Sequence, residues 1–329
     1  MKEEILHLLK NSGMEFLSGE DISKEFGVTR AAIWKYINSL REEGYKIESV
    51  SRKGYRIVES PDTLTEEEVD EYLHTKYMGR NIVHFETIDS TNTKAKELAV
   101  EGQPEGTVII SEEQIQGKGR LGRNWTSPKN KGIWMSIILR PDIDPIKVCM
   151  VTQVAAAAAV KAIEEMGIEG YIKWPNDIVV EGKKVCGILT EMSGELDKIN
   201  YVTLGMGINV NLEEKDFPKE LRDIATSLKI EKSKSINRKA LVGKILNNFE
   251  NLYESFVKEG DIEKSLAICR EKSILLGKEI QIIGRNEVRK AKAITIDEEG
   301  RLVVSHEDGK EEKIISGEVS IRGIYGYVD

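Results

Sequence analysis

Cysteine is scarce in this chain: Cys149, Cys186 and Cys269 are the only three in 329 residues, and no two form a C-x-x-C pair. Such usage excludes a disulfide framework and a thiolate zinc knuckle, and the thiols read as buried in a reducing compartment. Histidine is nearly as rare. His7, His74, His84 and His306 are scattered without ligand spacing, so a structural metal centre is not expected. No stretch is apolar for long enough to span a bilayer. The longest, residues 148–160, carries Thr152 and Gln153 and falls short of the roughly 20 residues a span needs. No charged-then-apolar leader opens the sequence, so a cytoplasmic protein without a membrane partner is expected. A phosphate-binding G-x-x-x-x-G-K-[ST] loop is also missing. The net charge of −8 argues against a protein that coats nucleic acid by charge alone.

What is present is concentrated in two stretches. Gly117-Lys118-Gly119-Arg120-Leu121-Gly122-Arg123-Asn124-Trp125 threads three cations between three glycines, a pattern suited to close backbone approach around an anion. Lys173-Trp174-Pro175-Asn176-Asp177 places a cation, an indole, a rigid imide, an amide and a carboxylate in succession. A packed core needs no such mixture, whereas a site that orients a polar substrate does. Together they point to an enzyme that activates a carboxylic acid with a nucleotide. Gly117, Gly119 and Gly122 also fit the dinucleotide pattern G-x-G-x-x-G, with Asp142 suitably downstream. That pattern requires a helix after the glycines. Here Ser127-Pro128-Lys129-Asn130-Lys131-Gly132 is turn chemistry and Ile133-Trp134-Met135-Ser136-Ile137 reads as a strand, which disfavours a dinucleotide site.

The first sixty residues follow a different logic. Ile5, Leu6, Leu8 and Leu9 give a short amphipathic helix. Ser18 caps a second helix that runs to Phe26, Gly27 makes the turn, and Thr29 caps a third helix with Ile33, Ile37 and Leu40 on one face. Tyr45-Lys46-Ile47 and Tyr55-Arg56-Ile57 then form a hairpin around Arg52-Lys53-Gly54. This is the pattern of a winged helix-turn-helix. Between residues 27 and 57 seven cations face three carboxylates, in a protein that is otherwise acidic. The candidate DNA contacts are Ser18, Thr29, Arg30, Ala32, Trp34, Lys35, Arg52 and Lys53. The bland alternatives are a core role for Trp34 and a protein-interaction module in place of a DNA reader.

The whole reads as a multi-domain α+β protein: a DNA-binding domain at 1–60, a linker at 61–65, a catalytic domain at 66–270 and a small all-β domain at 271–329. The helix after the linker is expected to start at Glu66, capped by Thr65. Trp134 and Trp174 are expected in the core.

Several blocks in order resemble the biotin protein ligases, in particular the bifunctional ligases that also repress the biotin operon. They are Asp89-Ser90-Thr91-Asn92, Gln114 with the glycine-cation loop, the Lys173 to Asp177 block, Lys184-Val185-Cys186-Gly187-Ile188-Leu189, Gly205-Met206-Gly207-Ile208-Asn209, Ala225-Thr226-Ser227-Leu228 and Gly317-Glu318-Val319-Ser320. The resemblance implies a class II synthetase-like mixed α/β catalytic domain and an SH3-like C-terminal β-barrel. It implies biotin contacts from Ser90, Thr91, Asn92, Gln114, Lys118, Gly119, Arg120, Trp125, Lys184 and Gly187. Gly117, Arg123, Asn176, Asn209 and Ala225 would meet ATP or the adenylate. Lys184, Arg120 and Asp177 would serve the chemistry, with Asp177 positioning the reacting groups or a Mg²⁺ water shell. Further implications are a biotin carboxyl carrier protein as acceptor, biotinyl-5′-AMP as intermediate and corepressor, a homodimer in the adenylate-bound state, and a palindromic operator. One departure stands out: Lys118 replaces the family's usual arginine, a point charge in place of a planar fork. Two other functions stay open on sequence grounds, a biotin-binding repressor without catalysis and a lipoate-type ligase on the same catalytic fold.

Overall fold

The computed structural model describes every residue except Leu196, Arg285, Asn286, Glu318, Tyr325 and Asp329. Glu318 of the expected block Gly317-Glu318-Val319-Ser320 therefore lies outside the described residues. The chain divides into two units, Met1–Thr63 and Leu64–Asp329.

In the first unit, α1 (Lys2–Asn11), α2 (Gly19–Phe26) and α3 (Arg30–Glu42) precede a hairpin of β1 (Lys46–Val50) and β2 (Gly54–Glu59). The caps are those the sequence implies. Ser18 Oγ accepts from the Asp21 N–H at 3.0 Å and Thr29 Oγ1 from the Ala32 N–H at 3.2 Å, each worth about 1 kcal/mol to its helix. Gly27 takes the left-handed conformation that ends α2. Ile5, Leu9, Ile22, Ile33, Ile37 and Leu40 form the buried core. Trp34 is not part of it: the side chain is 56% exposed, because it stands one residue off the Ile33–Ile37 stripe that faces inward.

The second unit begins inside what reads as linker, since Leu64 is fully buried. Thr65 precedes α4 (Glu66–Val69). A mixed seven-stranded sheet follows, built from β3 (Ile82–Phe85), β4 (Val108–Ser111), β5 (Ile133–Leu139), β6 (Tyr171–Lys173), β7 (Asp177–Val180), β8 (Lys183–Gly194) and β9 (Ile199–Ile208). Its spatial order is β3-β4-β5-β9-β8-β7-β6, antiparallel except for the β3–β4 pair. Three helices matter most: α5 (Thr91–Val100), α6 (Cys149–Glu165) and, beyond the short α7 (Leu228–Lys232), α8 (Arg238–Glu259).

Strand alternation divides the two faces of the sheet. Met135 and Ile137 join the main core, to which α6 and α8 contribute Val154, Ala155, Ala158, Leu241 and Ile245. Ile138, one residue on, packs with Ala95 and Leu98 of α5 on the opposite face. The apolar run near residue 150 is thus the central core helix, with Ala155, Ala156, Ala157, Ala158 and Ala159 all fully buried. Trp134 and Trp174 are buried as expected.

After α9 (Glu263–Glu271), strands β10 (Glu279–Ile283), β11 (Val288–Ile296), β12 (Leu302–Ser305), β13 (Glu311–Ile314) and β14 (Ser320–Gly323) form a five-stranded antiparallel sheet in the order β13-β12-β11-β10-β14. The last of these strands lacks an alternating apolar signal and was not expected. The sheet is docked on the catalytic core, where the Trp174 Nε1–H donates to Gly300 O at 3.0 Å. One expectation fails. Cys186 and Cys269 are buried but Cys149 is exposed, because it opens the first turn of α6 before the helix enters the core.

Candidate active site

The site lies on the α5 face of the sheet, and its floor follows from strand register. Gly207 pairs with Gly187 across β9–β8, and Gly205 pairs with Ser136 across β9–β5. Side chains alternate along a strand, so Gly205 and Gly207 present the same face while Met206 turns into the core. The result is a patch of floor without side chains. Its vacancies are used: a Cβ on Gly205 would stand 2.0 Å from Asn92 Oδ1, and one on Gly207 2.4 Å from Trp125 Nε1.

One wall is a polar chain centred on Gln114. Its Oε1 accepts from the Thr91 N–H at 2.8 Å and from Thr91 Oγ1 at 3.1 Å, while Nε2 donates to Ser127 Oγ at 2.9 Å. Ser136 Oγ lies 2.6 Å from Asn92 Oδ1, and Asn92 Nδ2 donates to Glu191 Oε2 at 3.0 Å. Fixing these amides fixes which edge of a ligand each hydroxyl can meet.

The glycine-cation stretch is a loop closed on itself. Gly119 N–H donates to Arg123 O at 2.7 Å and Trp125 N–H to Gly117 O at 2.8 Å. A single turn, Arg120-Leu121-Gly122, forms the tip, with Leu121 at φ 56°. No helix follows before β5, which removes the dinucleotide reading. Gly117 is needed for closure, since a Cβ there would meet Trp125 O at 2.4 Å. Lys118 Nζ donates to Thr93 Oγ1 at 2.8 Å.

The opposite wall carries the charge. Lys184 Nζ stands 2.5 Å from Asp177 Oδ1 and 5.1 Å from the centroid of the Trp125 ring. The segment after Leu221 holds Lys184 in register, because Lys184 N–H donates to Ile224 O and Thr226 N–H donates to Lys184 O. Arg120 Nη1 donates to Asn176 Oδ1 at 2.6 Å, and Asn176 Nδ2 donates to Ile188 O at 3.0 Å. Asn209 Nδ2 donates to Thr226 O at 3.1 Å. Burial pushes the Asp177 carboxyl up, but Lys184 and Lys173 outweigh it and hold it below its ordinary value. Burial, reinforced by Lys184 and Arg322, lowers Lys173 to about 8 despite the attraction of Asp177.

Every catalytic-domain residue named as a site residue from the sequence lines this cleft except Gly117, which lines a neighbouring recess along the same loop. Trp125 lines the cleft as well. Its indole rests on the bare floor, where a Cβ on Gly187 would meet Cζ3 at 2.8 Å. The space opened by Gly187 is therefore filled from within the chain. Three charged or phenolic lining residues were missed: Lys173, Arg322 and Tyr327. Lys173 stood inside a recognised block and could have been named. Tyr327 belongs to no pattern, and Arg322 lies in a strand the sequence does not reveal. Among the described residues, six cations line the cleft (Lys118, Arg120, Arg123, Lys173, Lys184 and Arg322) against one carboxylate, Asp177. No group of three or more metal-binding side chains occurs among the described residues.

On the first unit, Trp34 and Lys35 are exposed at the outer face of α3, and Arg52 and Lys53 are exposed at the hairpin tip. Arg30 shares that face but is paired with Glu20 at 2.5 Å. Thr29 uses its hydroxyl as a cap, as does Ser18, and Ala32 is half-buried. The ring of Phe16 lies under Arg56 at 4.5 Å and Lys53 at 5.8 Å, which steadies the hairpin.

Comparison with known proteins agrees in each part of the chain. Residues 2–56 match an HTH domain, residues 84–209 the Biotin/lipoate A/B protein ligase family, and residues 275–322 the Biotin protein ligase C terminal domain. The Bifunctional ligase/repressor BirA of Bacillus subtilis is 40% identical over 98% of this chain and 98% of its own length. That of Escherichia coli is 27% identical over 97% of this chain and 96% of its own. Among solved structures, the biotin protein ligase of Aquifex aeolicus in complex with biotin and ATP is 29% identical, covers 74% of this chain and 99% of its own, and superposes with a TM-score of 0.65. A helix-turn-helix unit, a glycine-floored cationic cleft and a docked β-domain, matched in order along nearly the whole length, place the chain in the family of bifunctional biotin protein ligase/repressors.

Proposed function

We propose that this chain joins biotin to a lysine of a biotin carboxyl carrier protein at the expense of ATP, and represses biotin genes when loaded with the intermediate. The observation that carries the reading is the charge of the cleft: among the described residues, six cations and one carboxylate surround a floor of glycines on which the Trp125 indole lies. Two anions, a carboxylate and an α-phosphate, must be brought into contact there. Fixed positive charge is what makes that contact affordable.

In the first step a biotin carboxylate oxygen attacks the α-phosphorus of ATP and pyrophosphate leaves, giving the mixed anhydride biotinyl-5′-AMP. Lys184 and Arg120 face the phosphorus as negative charge accumulates on its oxygens. Lys118 and Arg123 close over the anionic groups from the loop. Gln114, Thr91, Ser90 and Asn92 receive the polar ring end, with Gly119, Gly187 and Trp125 shaping the pocket around it. Asn176, Asn209, Gly117 and Ala225 lie on the nucleotide side. In the second step the acceptor lysine amine attacks the anhydride carbonyl, AMP leaves, and the amine gives up a proton. Both steps rest on orientation and charge, so the protein supplies no covalent nucleophile. Mg²⁺ enters with the triphosphate as part of the substrate. The described residues of the cleft hold a single carboxylate, Asp177, which suits that role.

Trp34, Lys35, Arg52 and Lys53 present the DNA face, two copies of which fit a palindromic operator when adenylate stabilises a homodimer. A cytoplasmic location follows from the supply of ATP and carrier protein. Biotin-dependent exchange of pyrophosphate into ATP tests the adenylation step. Exchange with lipoate alone would replace the substrate, and none with either acid would leave a binding-only repressor.

A further inference from the structure

We propose that Tyr327, on the tail beyond β14, is a positioning residue for adenylation: it holds Asp177, which in turn holds Lys184 at the reacting phosphate. The proposal rests on the ligase reading above and adds to it a contribution from the C-terminal domain.

Tyr327 Oη donates to Asp177 Oδ2 at 2.5 Å, while Lys184 Nζ takes Oδ1 at 2.5 Å. The two oxygens of the Asp177 carboxylate are thereby assigned to different partners. A carboxylate offers about four acceptor sites and rotates about its last torsion. Released from Oδ2, Asp177 could give both oxygens to Lys184, or turn toward Lys173, whose Nζ stands 3.9 Å from the centroid of the Tyr327 ring. One phenol therefore constrains both neighbours: its hydroxyl fixes the carboxylate and its face seats the second ammonium. Burial, with Asp177 reinforcing it, raises the phenol well above its ordinary value, so the hydroxyl remains a donor throughout the working pH range.

The tail is held in place at both ends. Strand β14 pairs with β10, and Gln281 Nε2 donates to Ile324 O at 2.9 Å just past the strand. Val328 then reaches back to the β7–β8 turn, standing 3.5 Å from where a Cβ on Gly182 would be. That turn leads directly into Lys183 and Lys184. The tail thus touches the strand pair bearing Asp177 and Lys184 at two points, and the Tyr327 bond is the polar one. Arg120 Nη2 donates to Val319 O at 3.3 Å, a second link from the same domain to a cationic residue of the cleft.

The test is Tyr327→Phe, which keeps the ring, its packing and its face toward Lys173 while deleting the hydroxyl. Single-turnover formation of biotinyl-5′-AMP is measured in the full-length protein, alongside biotin and ATP affinities. The expected result is a rate about 10-fold lower with affinities changed less than 2-fold, because the hydroxyl acts on the placement of Lys184 and not on binding. Asp177→Asn and the double variant complete a cycle. A residue that acts through Asp177 adds nothing once Asp177 is disabled, so the double variant should match Asp177→Asn. A Tyr327→Phe rate within 2-fold of wild type, or effects that multiply in the double variant, would overturn the proposal. Equal losses in rate and in both affinities would do the same, since they describe general loosening. Wild-type protein lacking biotin-dependent exchange would remove the ligase reading as well, whereas wild-type exchange with an unaffected variant removes only the role of Tyr327.

Discussion

Trp125 lies where a side chain on Gly207 would stand. A Cβ built on that glycine meets the indole Nε1 at 2.4 Å, and Nε1 is buried without a hydrogen-bond partner among the described residues. The bare strand therefore determines where the ring can rest.

Gly207→Ala should displace the indole from the floor without unfolding the sheet, because β9 is otherwise undisturbed. Intrinsic fluorescence should shift toward a more exposed tryptophan, and biotin affinity should fall at least 10-fold. An unchanged emission spectrum with unchanged affinity would show that the floor tolerates a methyl group.

Lys183 and Lys184 are adjacent but differ in surroundings. Lys183 Nζ donates to Arg222 O at 3.1 Å, outside the cleft, whereas Lys184 pairs with Asp177 inside it. Lys184→Gln should lower pyrophosphate exchange by about 10²–10³, the usual cost of losing one transition-state donor. Lys183→Gln should stay within a few-fold of wild type. Equal rates would reverse the assignment.

Lys173 links the site to pH. Its folded value of about 8 lies below the 10.5 of an unhindered lysine, so the unfolded chain holds the extra proton between those values. Stability contributed by this group should accordingly rise as pH climbs from about 8 to about 10.5. Activity should move the other way, falling as pH rises through about 8, where the folded cleft loses a cation. Lys173→Arg, which keeps its charge, should flatten that alkaline limb. An identical pH profile for the variant would detach Lys173 from the reaction.

Lys118 carries a single point charge and is held to Thr93. Lys118→Gly should speed release of the adenylate while leaving its formation within a few-fold, as measured by rapid quench and filter retention. Retention equal to wild type would assign loop ordering to Arg120 and Arg123 instead.

Operator binding should tighten when biotin and ATP are both supplied. Lys35→Ala or Lys53→Ala should each lower the salt dependence of log K by about one unit, as expected for one lost phosphate contact. Equal footprints with and without ligand would disconnect the two activities.

Much of this architecture could be read from the residues, for identifiable reasons. Helix ends were legible where a capping side chain sits beside an apolar stripe, as at Ser18 and Thr29. The loop was legible because glycine spacing and charge are local properties. Trp34 was ambiguous because an indole suits a core as well as a nucleic-acid surface, and only its angular offset from Ile33 and Ile37 decides. The exposure of Cys149 turns on where α6 enters the core, which composition does not record. Tyr327 was invisible, since its partner Asp177 lies 150 positions away in the chain and nothing near it forms a pattern. Gly205 and Gly207 were recognised as a block, but their shared face becomes meaningful only once the register of β8, β9 and β5 is known.

The buried alanine face of α6 has a consequence for how the protein is made. Residues 149–165 leave the ribosome well before α8, at 238–259, which covers one flank of α6 in the finished core. In the interval a strongly apolar helix has no permanent cover, and exposed segments of that kind favour aggregation. Chains ended near residue 235 should therefore be recovered as aggregates or as chaperone complexes. Full-length chains should pass this hazard only when α8 closes over the helix, late in synthesis.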